Sequence, residues 1–296
     1  MRQTAAAVGT FDGVHKGHIA VIDRLKEVAA EKDIDPIVLT FDVHPLSVIA
    51  PERAPTAVTS LEKKCELLRA QGVMALVMHF DEELRQTTAR EWMRLIHDEY
   101  GVVALVVGYD NTFGSDGVTL SIADYKRLGS EVGVEVTEAP FVADISSSAV
   151  RKALLGGEVE KAASMLGHYY ALSGNVVTGN QLGRTIGFPT ANLNPAPGLT
   201  IPANGVYAAT AILPDGSRQK SVVNIGTRPT VRRGDSRTVE AHIIGYQGDL
   251  YGHPITLLFR KRLRNEMKFK SIEALRRQIE TDCDAAEGLL ADHSKN

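Results

Sequence analysis

Solid apolar runs alternate with amphipathic ones through the first half of the chain. Thr4 to Val8 reads as a buried strand, after which Ile19, Ile22, Leu25 and Val28 recur at helical spacing. Ile37 to Phe41 is a second apolar strand. A helix with Leu61, Cys65 and Leu68 on one face follows, opened by the capping sequence Thr59-Ser60-Leu61-Glu62 and stopped at Gly72. Val73 to Met78 is the third strand. Thr88-Ala89-Arg90-Glu91 then caps a helix carrying Trp92, Leu95 and Ile96, which Gly101 ends. Val102 to Val107, a helix from Ser121 to Leu128, and Val134 to Val136 complete the set. Fully apolar strands between capped helices predict a parallel sheet covered on both faces, with ligands beyond the carboxyl ends of the strands.

The pattern changes near residue 167. A helix after Arg151 stops at Gly156-Gly157, and Glu158 to Leu166 forms another that Gly167 closes. From Leu172 onward short β-rich runs are separated by Gly, Pro, Asn and Asp: Val176 to Thr178, Val206 to Leu213, Ser221 to Ile225, Thr238 to Ile244 and Ile255 to Phe259. Pro214-Asp215-Gly216 is a hairpin turn between two of them. This spacing predicts a small antiparallel barrel, closed by one helix bearing Ile272, Leu275 and Ile279. Two domains are expected, residues 1–167 and 168–296, which suits a chain of 296 residues.

Composition narrows the classes. A hydrophobic fraction of 44%, a charged fraction of 23% and a net charge of -3 fit an ordinary globular protein and argue against a dedicated nucleic-acid binder. Arg228, Arg232, Arg233 and Arg237 read as a basic loop. Cys65 and Cys283 fit neither a metal-ligand nor a CxxC spacing, which suggests a reducing compartment. With neither a signal peptide nor a membrane-length apolar stretch in view, the expectation is a cytoplasmic protein with no membrane partner.

The sheet topology would bring four chemically loaded loops to one rim: residues 9–18, residues 42–45, Gly108 to Gly114, and Ile145 to Arg151. In the first, His15-Lys16-Gly17-His18 falls on the opening turn of a helix, where unpaired N–H groups and the helix dipole favour phosphate. Glycines at 9, 13 and 17 match neither the dinucleotide fingerprint nor a P-loop. Metal ligation by His15 and His18 would need a third ligand such as His44. Ser146, Ser147 and Ser148 offer hydroxyls at a helix start, with Arg151 placed to grip phosphate. In the second domain, Gly179 to Asn192 has glycines and Arg184 suited to a loop around phosphates, while Thr190 and Asn192 share one side of an extended segment and can offer oxygens to Mg²⁺.

On Phe11-Asp12-Gly13-Val14-His15-Lys16-Gly17-His18, Ile145-Ser146-Ser147-Ser148 with Arg151, and Gly183-Arg184-Thr185-Ile186-Gly187-Phe188-Pro189-Thr190-Ala191-Asn192, the chain resembles the bacterial bifunctional riboflavin kinase and FMN adenylyltransferases, or FAD synthetases. Asn224 to Thr230, Thr238 to Ile243 and Leu263 to Phe269 resemble further segments of that family. Two positions depart from its pattern: Asn111, where an aromatic is usual, and Val43 within Phe41-Asp42-Val43-His44-Pro45. The resemblance implies a Rossmann-like α/β nucleotidylyltransferase domain followed by an antiparallel β-barrel riboflavin kinase domain with a C-terminal helix. It also implies two reactions that use ATP and Mg²⁺: riboflavin to FMN, then FMN to FAD with release of pyrophosphate. By that resemblance His15, His18 and Glu240 are catalytic, and Thr190 and Asn192 hold the metal. Gly9, Phe11, Gly13, Gly17, Asp110, Ser147, Ser148, Arg151, Gly179, Gly183, Arg184 and Gly187 bind nucleotide or phosphate, while Asn111, Arg228 and Arg264 bind flavin. The alternative is a kinase whose N-terminal domain is a non-catalytic nucleotide- or flavin-binding module.

Overall fold

A computed structural model describes residues 2–109, 112–179, 182–228 and 236–291. The chain forms two compact units, Met1–Ser147 and Ser148–Asn296. In the first, β1 (Thr4–Val8), β2 (Asp35–Phe41), β3 (Met74–Met78), β4 (Val102–Val107) and β5 (Glu135–Glu138) form one parallel sheet in the order β3-β2-β1-β4-β5. The strand order reverses at β1, so the loop after β1 lies at the crevice where ligands of such sheets bind.

Packing on both faces explains why the central strands are mostly apolar. Ala5, Ala7, Val38, Ala104 and Val106 pack on one face against Ile22, Leu25 and Val28 of the helix Lys16–Lys32 and Leu68 of the helix Leu61–Ala70. Ala6, Val8, Ile37, Leu39, Leu105 and Val107 face the other way, onto Trp92, Met93 and Ile96 of the helix Ala89–Tyr100 and Tyr125 of the helix Ile122–Glu131. The central strands β1, β2 and β4 are thus covered on both faces, and the buried polar Thr40 near the end of β2 has its hydroxyl on the Thr10 carbonyl. The capping box at Thr88 forms as expected, with Gly101 left-handed at the helix end. The one expected at Thr59 does not. Ser60 caps that helix, its hydroxyl accepting from the Lys63 N–H at 3.2 Å, because Thr59 is engaged elsewhere.

The second unit begins within the helix Ser147–Leu155, which the helix Val159–Leu166 follows. Its strands are β6 (Ala171–Val177), β7 (Ala191–Pro195), β8 (Gly205–Ile212), β9 (Arg218–Arg228), β10 (Ser236–Ile243) and β11 (Pro254–Arg264). They close a barrel in the order β10-β7-β6-β11-β8-β9, antiparallel at every recorded pairing. The turn at Pro214-Asp215-Gly216 joins β8 to β9, the Leu213 N–H donating to the Ser217 carbonyl at 2.9 Å. β7 includes Asn192 of the segment expected to be extended, and it is a strand although Asn192 and Asn194 interrupt its apolar residues.

The closing helix runs Ile272–Ala291 and docks by the expected stripe, on which Leu275 and Ile279 are half-buried, but its first turn stays outside the packing. Ile272 is exposed, whereas Asp282, Ala286 and Leu290 are buried, the last two against Val206, Ala208 and Val222. The reason is an ion pair: Asp282 receives the Arg264 guanidinium at N···O distances of 2.8–3.1 Å, which seats the later turns of the helix. A second correction concerns Arg237. It lies on β10 and donates to the carbonyls of Ile201 (2.9 Å) and Pro202, so it belongs to the barrel framework and not to a basic loop. Arg232 and Arg233 lie outside the described residues.

Candidate active sites

The loop after β1 is held in a conformation that its own sequence does not favour. Phe11, Gly13 and Val14 take φ of 48°, 87° and 43°. For a β-branched residue such as Val14 this costs on the order of 1–3 kcal/mol, so the surroundings must hold it. Asp12 supplies the hold. Its carboxylate accepts from the N–H groups of Val58 (2.8 Å) and Thr59 (3.1 Å), while the Thr59 hydroxyl accepts from the Gly13 N–H at 3.1 Å. The Thr10 carbonyl receives both the Thr40 hydroxyl and the Lys64 ammonium at 3.1 Å, and the Gly9 N–H donates to Leu39. Ser147 donates its hydroxyl to the Asp12 carbonyl at 2.8 Å, which ties the segment after β5 to the same loop.

Within this clamp His15 is the N-cap of the helix Lys16–Lys32, its Nδ1 accepting from the His18 N–H at 3.2 Å. A Cβ on Gly17 would lie 3.1 Å from two atoms of the His15 ring, a tight contact that would displace the imidazole by a few tenths of an ångström from the helix start. The two imidazoles stack at 3.6 Å with a 12° interplanar angle. His18 Nδ1 is buried with no hydrogen-bond partner among the described residues. Burial, then the neighbouring His15, then the Lys64 charge hold the His18 imidazole well below its ordinary pKa. The site therefore presents a neutral His18 and a helix N-terminus to an incoming anion.

Around the rim, Asp42 accepts from His79 at 2.5 Å and from the Phe80 N–H at 3.2 Å. Burial alone would raise the Asp42 carboxyl, but these bonds bring it below the usual range. His44 closes a local turn, its Nδ1 accepting from the Leu46 N–H. Among the described residues no group of three His, Cys, Asp or Glu could hold a metal ion. The Tyr125 hydroxyl pins the end of the fourth-strand loop through the Phe113 N–H (3.0 Å) and carbonyl (2.9 Å). Asp110 and Asn111 lie outside the described residues. Ser148 and Arg151 follow Ser147 on its helix, in the second unit, with Arg151 buried and its Nη1 3.5 Å from the Ser148 hydroxyl.

In the barrel the register assembles the other site. Glu240 on β10 stands opposite Asn192 on β7 and Asn224 on β9, and cross-strand partners project from the same face. Val239, Ala241 and Ile243 point the other way and are buried, so Glu240 is turned away from the core. Glu266 reaches the same face: a Cβ on Gly226 would lie 2.3 Å from its Oε1. Two residues along from Glu240, His242 meets the Pro189 carbonyl through Nδ1 at 2.8 Å and packs edge-on against Phe188. It thereby ties the glycine-rich segment to the strand that carries Glu240. A Cβ on Gly179 would lie within 2.2–2.5 Å of the Asn192 amide, and Gly183 sits on the short helix Leu182–Thr185, its carbonyl accepting from the Phe188 N–H at 2.8 Å. Gly187 takes φ 90° in the turn that follows. Thr190 lines a cavity of about 270 Å³ together with Val176, Tyr246, Asp249 and Tyr251.

Arg264, expected at the flavin, has its guanidinium on Asp282, and the side chains of Arg184 and Arg228 lie outside the described residues. The spacing of motifs pointed to neither Asp12, Thr59, Lys64 and His242 nor the Tyr246–Tyr251 segment. One signal was present: Lys64 precedes Leu68 by four residues, so it interrupts an apolar helix face.

Residues 1–152 match the model of the FAD synthetase family, and residues 166–290 that of riboflavin kinase. Proteins named bifunctional riboflavin kinase/FMN adenylyltransferase are 38% identical in Escherichia coli K12, over 93% of this chain and 89% of theirs, and 35% identical in Bacillus subtilis, over 95% and 90%. The chain belongs to this family. A solved Streptococcus pneumoniae chain described as a macrolide-efflux protein shares the fold at a TM-score of 0.87 and 27% identity, covering 97% of this chain and 94% of that one. In family terms, the clamped histidine loop lies in the FAD synthetase part and the Glu240 ladder in the riboflavin kinase part.

Proposed function

We infer that the protein makes FAD in two steps, phosphorylating riboflavin to FMN and then transferring AMP from ATP to FMN. The observation that carries this is the presence of both sites on one chain: stacked His15 and His18 at a helix start, and Glu240 between two asparagines beside the glycine-rich segment. Residues 1–167 are taken as the adenylyltransferase domain and 168–296 as the kinase. Against a non-catalytic first domain stand the match of residues 1–152 to the FAD synthetase family and the similarity over most of the chain to proteins named bifunctional riboflavin kinase/FMN adenylyltransferase.

In the kinase step the ribityl 5′-hydroxyl of riboflavin attacks the γ-phosphorus of ATP. Glu240 takes the hydroxyl proton, the bond to the β,γ-bridging oxygen breaks, and ADP leaves. The Tyr246–Tyr251 cavity adjoins Thr190 and offers room for a nucleobase, with the glycine-rich segment wrapping the phosphates. Thr190 and Asn192 offer neutral oxygens, a donor set that fits Mg²⁺ retaining waters and phosphate oxygens. Bound there, Mg²⁺ would neutralise phosphate charge. Arg184 is assigned to phosphate, and Arg228 to flavin. Arg264 would act on flavin through the segment it anchors to Asp282.

In the adenylyl step a phosphate oxygen of FMN attacks the α-phosphorus of ATP and pyrophosphate leaves. Little covalent chemistry is asked of the protein; His15, His18 and the helix N-terminus position the α-phosphate and stabilise its developing charge. Ser147, Ser148 and Arg151 are assigned to the β- and γ-phosphates, and Asp110 and Asn111 to the nucleotide and flavin respectively. No helix among the described residues is long and apolar enough to cross a membrane, and we place the enzyme in the cytoplasm, acting on small molecules and without a nucleic-acid partner. Full-length protein given riboflavin, ATP and Mg²⁺ should yield FMN and then FAD by chromatography. FMN that accumulates with no FAD would reject the second step.

A further inference from the structure

Lys64 is an unexpected residue to find beneath a phosphate loop. It is 8% exposed, on the inner face of the helix Leu61–Ala70 with Leu68. Its ammonium donates to the carbonyls of Thr10 (3.1 Å), in the loop after β1, and Phe41 (2.8 Å), the last residue of β2. No carboxylate among the described residues lies within ion-pair distance of it. Asp12 is occupied by the Val58 and Thr59 N–H groups, and Asp42 by His79 and the Phe80 N–H. Burying an ammonium whose hydrogen-bond partners are carbonyls is costly even with Asp12 and Asp42 acting on it from beyond ion-pair distance, and a methionine would fill the same space without that cost. A charge kept in so dry a place acts strongly on whatever binds above it.

We propose that Lys64 is a positioning residue of the adenylyl-transfer site, whose buried positive charge under the Gly9–His18 loop is complemented by the phosphates of bound ATP. Resting on the adenylyltransferase reading of the first domain, the proposal needs no contact between Lys64 and phosphate. The ammonium fixes the Thr10 carbonyl at the start of the strained turn and adds a positive field where charge develops at the α-phosphate. It is also one of the groups that keep His18 neutral, after burial and His15. Asp12, Cys65 and Asp42 act on Lys64 in turn, in the direction opposite to its burial.

Lys64→Met and Lys64→Gln in the full-length chain test this. Both should lower kcat for FAD formation from supplied FMN on the order of 10²-fold, the scale of losing one preorganised electrostatic group, while riboflavin phosphorylation by the same preparation is unchanged. In both, the acid limb of the FAD-forming pH profile should move upward, because His18 loses a positive neighbour. Glutamine can still donate to a carbonyl but carries no charge. Wild-type turnover in Lys64→Gln would therefore overturn the proposal in favour of a mere tie between loops. Should neither variant fold, titration of isotope-labelled lysine side chains in the wild-type chain decides: ATP should raise the pKa of the buried ammonium, and an unchanged value would sink the idea. This readout needs no turnover, so it stands apart from a failure to make FAD.

Discussion

In the first unit, His15 and His18 sit on a loop whose backbone is left-handed at three positions and whose ties come from residues 40, 58, 59, 64 and 147. In the second, Glu240 sits mid-strand, flanked by Asn192 and Asn224 through an ordinary antiparallel register. The loop site depends on distant groups that each carry part of the strain, whereas the ladder site inherits its geometry from the barrel. Damage to a tie should therefore reach the chemistry of the first site, and damage to the second should stay close to the residue changed.

The widest effect expected is at the two reacting groups. Glu240→Gln should cut riboflavin phosphorylation by about 10³-fold through loss of the general base and leave adenylylation of supplied FMN intact. His18→Ala should cut FAD formation by about 10²–10³-fold with phosphorylation unchanged. Loss of both activities in either folded variant, read by chromatography of both products, would break the separation of the two sites.

Asp12→Asn tests the clamp. It keeps the side-chain shape but weakens the charge-assisted bonds from Val58 and Thr59, which should cost about 1–3 kcal/mol of stability in thermal or denaturant unfolding and lower FAD formation along with it. An unchanged turnover would show that the loop keeps its shape without the tie. Asn224→Ala, the ladder counterpart, should lower phosphorylation while leaving the melting temperature nearly unchanged.

His18 makes stability depend on pH. Folding holds it well below the value of 6.5 that it has in the unfolded chain, so the unfolded state binds the proton first as the pH falls. Its contribution is fully present above 6.5 and is lost as the pH drops from there toward the folded pKa. Melting followed between neutral and acid pH should show this fall, and His18→Asn should flatten it. His79, raised by its bond to Asp42, works in the opposite sense, so the comparison is cleanest in a His79→Asn background.

The smallest effect expected is at His242. His242→Ala should raise KM for ATP in the kinase step by only a few-fold, the scale of one hydrogen bond, with kcat little changed. His242→Asn, whose amide nitrogen falls near the place of Nδ1, should restore it.

Much of this was legible along the chain. Strand and helix positions in the first unit follow from apolar alternation and capping residues, and the barrel from the spacing of its strands. The helix start at His15 and the outward turn of Glu240 are local consequences of spacing, one of period 3.6 and the other of period 2. Thr59, Lys64 and Arg264 were a different matter. Their side chains look like a cap, a break in an apolar helix face and a ligand arginine until their partners are known, and those partners lie 46, 54 and 18 residues away. By itself the sequence determined which elements form, where the phosphate-binding chemistry lies and which residue types carry it, because these depend on neighbours within a turn or a strand. The strained shape of the histidine loop, the neutral His18, the ion pair that seats the last helix and the buried charge under the loop were decided only by the tertiary structure. Each is the free energy of a group taken out of water, and what surrounds such a group is set by the packing of the whole unit.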